Sequence, residues 1–147
     1  MSKLFAFLNP VPVHEEKEVF ISDRFKNEEG KVVPFKIRSV TQEENDALNR
    51  QSFRKVRGAD GQMVKEFDLI TYRRKLAVLA TVFPDFSDAE LCGAYGTMDA
   101  TEVVAKMLRP GEFALLGEKI SEISGFSADD TTVAEAKNLL AAAMRKR

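Results

Sequence analysis

Apolar residues along this chain change their period near residue 40. From Lys17 to Phe25 they alternate, with Val19, Ile21 and Phe25 on one side. From Val32 to Val40 the alternation returns with Val33, Phe35 and Ile37. A polar stretch carrying Gly30 lies between. Period two on both sides of a turn signal predicts an antiparallel β-hairpin with a loop longer than two residues. Pro34 has no N–H to donate, so the second strand should be an edge or bulged there.

Helical spacing takes over afterwards. Thr41 and Glu44 have capping-box spacing and open a helix predicted over Gln42 to Phe53, with a thin stripe of Ala47 and Leu48. The stretch Arg54–Phe67 holds the turn signal Asp60-Gly61 and reads as a mobile loop or a small hairpin. Asp68 then caps a helix whose apolar positions Leu69, Tyr72, Leu76, Leu79, Ala80 and Phe83 mark the central core element, stopped by Pro84. Ser87 with Glu90, and Asp99 with Glu102, are two further capping boxes. The second leads to Val103, Val104, Met107 and Leu108. Pro110 suits a first helical turn, Phe113, Leu116, Ile120 and Ile123 share a face, and Gly125 ends it. Thr132 and Glu135 open a last helix with Val133, Ala136, Leu140 and Met144 along one side.

The predicted fold class is therefore α+β, mostly α-helical: an N-terminal antiparallel β-hairpin followed by about six short-to-medium helices. A single domain over residues 1–147 would comprise an arm at 1–16, the hairpin at 17–40 and a helical part at 41–147. The arm carries Leu4, Phe5, Phe7 and Leu8 ahead of two prolines. Local signals hold neither the arm nor the last helix firmly. Each is expected first to pack on the chain's own core, and otherwise to offer apolar surface to a partner.

Composition excludes more than it identifies. Of 147 residues, 44% are hydrophobic and 31% charged, which suits a globular domain and excludes low-complexity and collagen-like classes. Lys and Arg number 22 against 23 Asp and Glu, a net charge of −1, so no summed field steers the chain to nucleic acid. Clusters at Arg50, Arg54 and Arg57, at Arg73, Arg74 and Lys75, and at Arg145, Lys146 and Arg147 are interspersed with acids and read as a mixed solvated surface. No run reaches the roughly 20 apolar residues of a membrane helix. One cysteine, Cys92, cannot form an internal disulfide and suits a reducing compartment.

Catalytic chemistry is absent from the pattern. His14 stands alone without an orienting partner and reads as a solvated loop histidine. Cys92 has acids rather than cations nearby and reads as a small buried hydrophobe. The acids around Asp85 lack the ligand spacing of a calcium loop, zinc spacing is missing, and Gly58–Gln62 is no phosphate loop. No catalytic residue, metal ligand or cofactor is expected, and the chain is read as a non-enzyme.

Three ordered motifs carry a resemblance: PFKIR-x-x-T-x-x-E at residues 34–44, AEL-x-x-x-YG at 89–96 and ML-x-PGE at 107–112, with FLNP ahead of them and EAKNLL behind. In their order and over most of its length the chain resembles the XkdN-like tail assembly chaperones of phages and prophages. It departs from that pattern at Cys92-Gly93, where a polar residue is more usual, and at Phe113, where tyrosine is common. The resemblance implies a protein of the bacterial host cytoplasm, missing from the mature virion. It would bind the tape measure protein and help tail tube protein assemble around it; self-association is a separate expectation, outside what the resemblance implies. Phe5 and Phe7 of the arm with Leu140 and Met144 of the last helix are the candidate partner-binding residues. A structural tail or baseplate component retained in the particle is the alternative, and a small nucleic-acid-binding regulator the second.

Overall fold

The computed structural model describes residues 3–11 and 16–126. The expected last helix, with Leu140 and Met144, lies outside the described residues, as do His14 and the terminal Arg145–Arg147.

Six helices and five strands make up the described residues: α1 (Phe5–Leu8), β1 (Glu16–Val19), β2 (Phe35–Arg38), α2 (Gln42–Arg50), β3 (Phe53–Arg57), β4 (Met63–Phe67), α3 (Leu69–Ala80), β5 (Thr81–Phe83), α4 (Ala89–Ala94), α5 (Ala100–Met107) and α6 (Pro110–Ile123). The fold is mixed α+β with the expected N-terminal hairpin in place. Strands β1 and β2 pair antiparallel with Val19 opposite Phe35 and Lys17 opposite Ile37. Their connection folds back on itself: Lys26 bridges Val32, Val33 N–H donates to Phe25, and Gly30 (φ +82°) supplies the left-handed turn residue.

Strand β2 is the centre of a three-stranded sheet ordered β1-β2-β5, not an edge. Pro34 sits one residue before the strand, so its missing N–H costs the ladder nothing. The helix expected to run to Phe83 stops at Ala80, and its last three residues become β5. The β-branched pair Thr81-Val82 and the constraint that Pro84 places on Phe83 both favour extended backbone. Pairing to β2 completes the change. Phe83 lies opposite Lys36 and Thr81 opposite Ile37, so two steps on β5 match one on β2. This bulge turns Phe83 out while Thr81 stays in the core, although the two would share a face of a regular strand.

One hydrophobic core joins sheet and helices. Phe35 and Ile37 project from β2, and Tyr72, Leu76, Ala77 and Ala80 from α3. Val103, Val104 and Met107 come from α5, Leu116 and Ile120 from α6, and Phe86 from the loop after β5. Ile37, Phe86, Val103, Leu116 and Ile120 are fully enclosed. Each such side chain contributes roughly 1.5–3 kcal/mol of transfer free energy. Cys92 is buried, its thiol 3.3 Å from the Phe86 carbonyl.

Local chemistry sets the element ends. Thr41 Oγ1 accepts from Glu44 N–H while Glu44 accepts from Thr41 N–H, the expected reciprocal box. Helix α2 ends at Arg50, three residues early, because Phe53 enters a strand. Helix α4 is capped by Asp88, whose carboxylate accepts from Leu91 N–H, and not by Ser87. Asp99 caps α5 through Thr101 N–H, while Glu102 turns away to accept from Thr97 Oγ1, so no box closes. Pro110 occupies the first turn of α6 and Gly125 (φ +83°) follows its end.

Candidate partner-binding surface

Exposed apolar side chains concentrate at three places. The first is the N-terminal segment. Helix α1 is a single turn with no buried residue. Phe5 is 66% and Phe7 80% exposed, and Leu4, Leu8 and Val11 are exposed beside them. Packing of this segment on the core, expected from its aromatics, is not seen among the described residues. The turn is held by its own hydrogen bonds, with Asn9 donating from both its backbone and side-chain nitrogens to the Phe5 carbonyl. Phe5 and Phe7 stand two positions apart, about 200° around a helix, so they face opposite sides.

The outer face of the β1-β2-β5 sheet is the second. Glu16, Glu18, Lys36 and Arg38 line it by register, with Phe83 beside Lys36. Phe83 and Phe20 are both more than half exposed. Charges on this face are matched locally: Glu16 pairs with Lys36 at 3.2 Å and Glu44 with Arg38 at 2.8 Å. The Arg38 guanidinium, with the Thr41 backbone N–H, holds the Glu44 carboxyl down at about 2.

The third is the β3–β4 hairpin. Its register places Phe53 opposite Phe67, Lys55 opposite Lys65 and Arg57 opposite Met63 on one face. On the other face Arg54 is opposite Glu66 and Val56 opposite Val64. The loop closes with Gly58 N–H donating to Gln62 at 2.7 Å and Gly61 at φ +84°, the left-handed residue that a three-residue hairpin loop requires. The base is anchored to the body. Phe53 meets Phe67 edge to face and Phe67 lies tilted against Tyr72, with ring centroids 5.5 and 5.9 Å apart. Asp68 N–H donates to the buried Ser52, whose hydroxyl donates to Leu48 at 2.6 Å.

Behind these surfaces one ion pair ties the frame together. Arg24, in the β1–β2 connection, places its Nε 2.8 Å and its Nη2 2.5 Å from the two carboxylate oxygens of Glu112 on α6. Nη2 also donates to the Met107 carbonyl, and Glu112 accepts from Arg109 N–H at 2.7 Å. The guanidinium first, then further donors at Ser22 and Arg109, keep the Glu112 carboxyl at about 2.

Of the sequence-derived candidates, the structure places Phe5 and Phe7 on one short turn in the open, while Leu140 and Met144 lie outside the described residues. Sequence reasoning missed Phe20, Phe83 and the cationic hairpin face. Phe83 was hidden in an apparent helical stripe. The hairpin face depends on loop length: the three-residue loop 59–61, centred on Asp60, sets Lys55 opposite Lys65, whereas a two-residue Asp60-Gly61 turn would set Lys55 opposite Glu66. Among the described residues no group of three His, Cys, Asp or Glu side chains could hold a metal ion, and no helix is long and apolar enough to cross a membrane.

Comparison with known proteins adds the context. Residues 4–137 match the model of the phage XkdN-like tail assembly chaperone proteins. Two proteins of Bacillus subtilis (strain 168) are similar over most of their length. YqbN, described as uncharacterized, is 40% identical over 125 residues, 83% of each chain. The phage-like element PBSX protein XkdN is 37% identical over 128 residues, 84% of this chain and 85% of its own. The crystal structure of the protein YqbN superposes with a TM-score of 0.68 at 34% identity, covering 86% of this chain and 98% of that one.

Proposed function

Because this chain belongs to the phage XkdN-like tail assembly chaperone family, we propose that it binds the tape measure protein, keeps it soluble and promotes assembly of the tail tube around it. The observation that supports this reading is the apolar segment around α1, where Phe5 and Phe7 lie exposed on a turn with nothing buried. A protein that holds an apolar stripe until another subunit replaces it needs such surface, in small exchangeable contacts rather than one large interface. A single helical turn is marginal by itself. It gains order at no cost to the core, which leaves it suited to reversible docking in a groove. Leu140 and Met144 extend the same proposal to the C-terminal segment. The protein works in the host cytoplasm and is absent from the finished particle.

The test is co-expression with the tape measure protein encoded in the same tail gene cluster. The expected result is that the tape measure protein becomes soluble and co-purifies with this chain. A tape measure protein that remains insoluble and unbound would overturn the proposal. Mass spectrometry of purified particles settles the second half: abundant peptides of this chain in the virion would make it a structural component.

A further inference from the structure

We propose that one face of the β3–β4 hairpin is a docking site for an acidic, amphipathic helical segment of a partner protein. This rests on the reading of the chain as a binder of client protein, and adds the surface and the client's chemistry.

Three observations carry it. The first is charge. Lys55 and Lys65 are directly opposite, and Arg57 is next along the same face. Like charges across a strand pair destabilise it, and no ion pair relieves any of the three among the described residues. The hairpin's own acids are committed elsewhere. Glu66 is on the other face with Arg54, and Asp60 accepts from Gln62 N–H at the turn. The second is apolar flanking. Phe53 and Met63, on the same face, are 50% and 58% exposed. The third is position, since among the described residues the hairpin is anchored at its base, through Ser52, Phe67 and Tyr72, while its outer half is largely exposed.

Together these describe a strip of three cations bracketed by a phenylalanine and a methionine. A five-residue strand spans roughly 17 Å, the length of about three helical turns. Acidic residues at i, i+3 and i+4 of a docked helix would meet the cations, while its apolar neighbours cover Phe53 and Met63. Nucleic acid is the weaker fit, since the chain as a whole has a net charge of −1 and the strip carries two large apolar groups.

The experiment uses the full chain on an array of overlapping peptides spanning the tape measure protein. Wild type, Lys55→Glu/Lys65→Glu and a matched control on the exposed β1–β2 connection, Lys26→Glu/Lys31→Glu, are compared, with a single-stranded oligonucleotide as competitor. Wild type should capture net-negative amphipathic peptides, with affinity falling as salt rises. Lys55→Glu/Lys65→Glu should lose at least about tenfold in affinity for them, whereas Lys26→Glu/Lys31→Glu, with the same change in net charge, should bind them within about twofold of wild type. The single variant Lys55→Glu separates binding from folding: it creates an opposite-charge pair with Lys65, so it should melt higher than wild type yet bind less. If wild type captures peptides but Lys55→Glu/Lys65→Glu captures the same ones within twofold, the docking site is wrong and the client reading stands. Capture confined to neutral or basic peptides, or displacement by the oligonucleotide at lower concentration than by acidic peptide, also overturns the docking site. If wild type captures no peptide at all, both readings fall.

Discussion

Replacing Glu112 tests how the two halves of the fold are joined. Its carboxylate is 10% exposed and accepts two hydrogen bonds from Arg24 and one from Arg109 N–H, with Ser22 as a further donor. Glu112→Ala strips the reach-back bond at the start of α6, about 1 kcal/mol by analogy with other helix caps. It also removes a bidentate charge-assisted pair, whose bonds contribute about 1.5–3 kcal/mol when the partners are well shielded. Arg24 is 43% exposed, so water recovers part of that loss and the lower end applies. The expected total is about 2–3 kcal/mol, or roughly 6–10 °C in melting temperature for a chain of this size. Glu112→Gln keeps the volume and one acceptor and should lose about half as much. The pH dependence supplies a second, independent readout. The folded carboxyls of Glu112 and Glu44 both titrate at about 2, against about 4.3 in an unfolded chain. Between those values the unfolded state binds more protons, so stability rises with pH. The contribution is complete above about pH 5 and drains away as pH falls toward 2. Urea melts at pH 7 and pH 3 should show Glu112→Gln losing less on acidification than wild type. In an Arg24→Met background most of the effect of Glu112→Gln should vanish. A Glu112→Gln protein that matches wild type at pH 7 and keeps the full acid slope would refute the reasoning.

Other outcomes follow from burial and backbone. Phe86→Ala opens a cavity beside a fully enclosed ring and should cost about 3–5 kcal/mol in a urea melt. Gly61→Ala forces a Cβ onto a residue at φ +84° with open space around it, so the loss should be about 1–2 kcal/mol and confined to the hairpin, read by amide exchange at residues 53–67. Phe5→Ser/Phe7→Ser should leave the melting curve within about 0.5 kcal/mol of wild type, since neither ring is buried, while reducing co-purification of the tape measure protein.

Much of this fold could be read from the chain because much of it is local. Thr41, Asp68 and Asp99 announce helix starts through hydrogen bonds that reach only two or three residues, Pro110 does so through its fixed φ, and the structure uses all four positions. Strand β5 could not be read this way. Leu76, Leu79, Ala80 and Phe83 keep helical spacing to the end, against the extended preference of Thr81-Val82 and of Phe83 before Pro84, and pairing with β2, some 45 residues earlier in the chain, decides between them. Ser87 lost the cap to Asp88 for a nearby reason: the Asp85 carboxylate already takes the Ser87 N–H, which fixes the turn one residue further on. The candidate surface divides in the same way. Exposure of Phe5 and Phe7 depends on what fails to cover them, which no local pattern encodes. The Lys55–Lys65 pair is local but turns on loop length: it follows from a three-residue loop centred on Asp60, one residue longer than the Asp60-Gly61 signal by itself implies.

The late position of α6 also bears on how the protein is made. Ile37 and Phe35 leave the ribosome early, yet Leu116 and Ile120, which share their core, are among the last described residues to follow. At about 5–20 residues per second, the interval from β2 to the end of α6 is roughly 4–17 s. Through that time the inner face of the first hairpin has no roof, and the Arg24 clamp has no Glu112 to close on. A ribosome stalled before residue 110 would therefore display a sticky half-protein. Nascent chains arrested at residue 105 and beyond residue 147 should differ sharply in protease resistance, the longer one alone being protected.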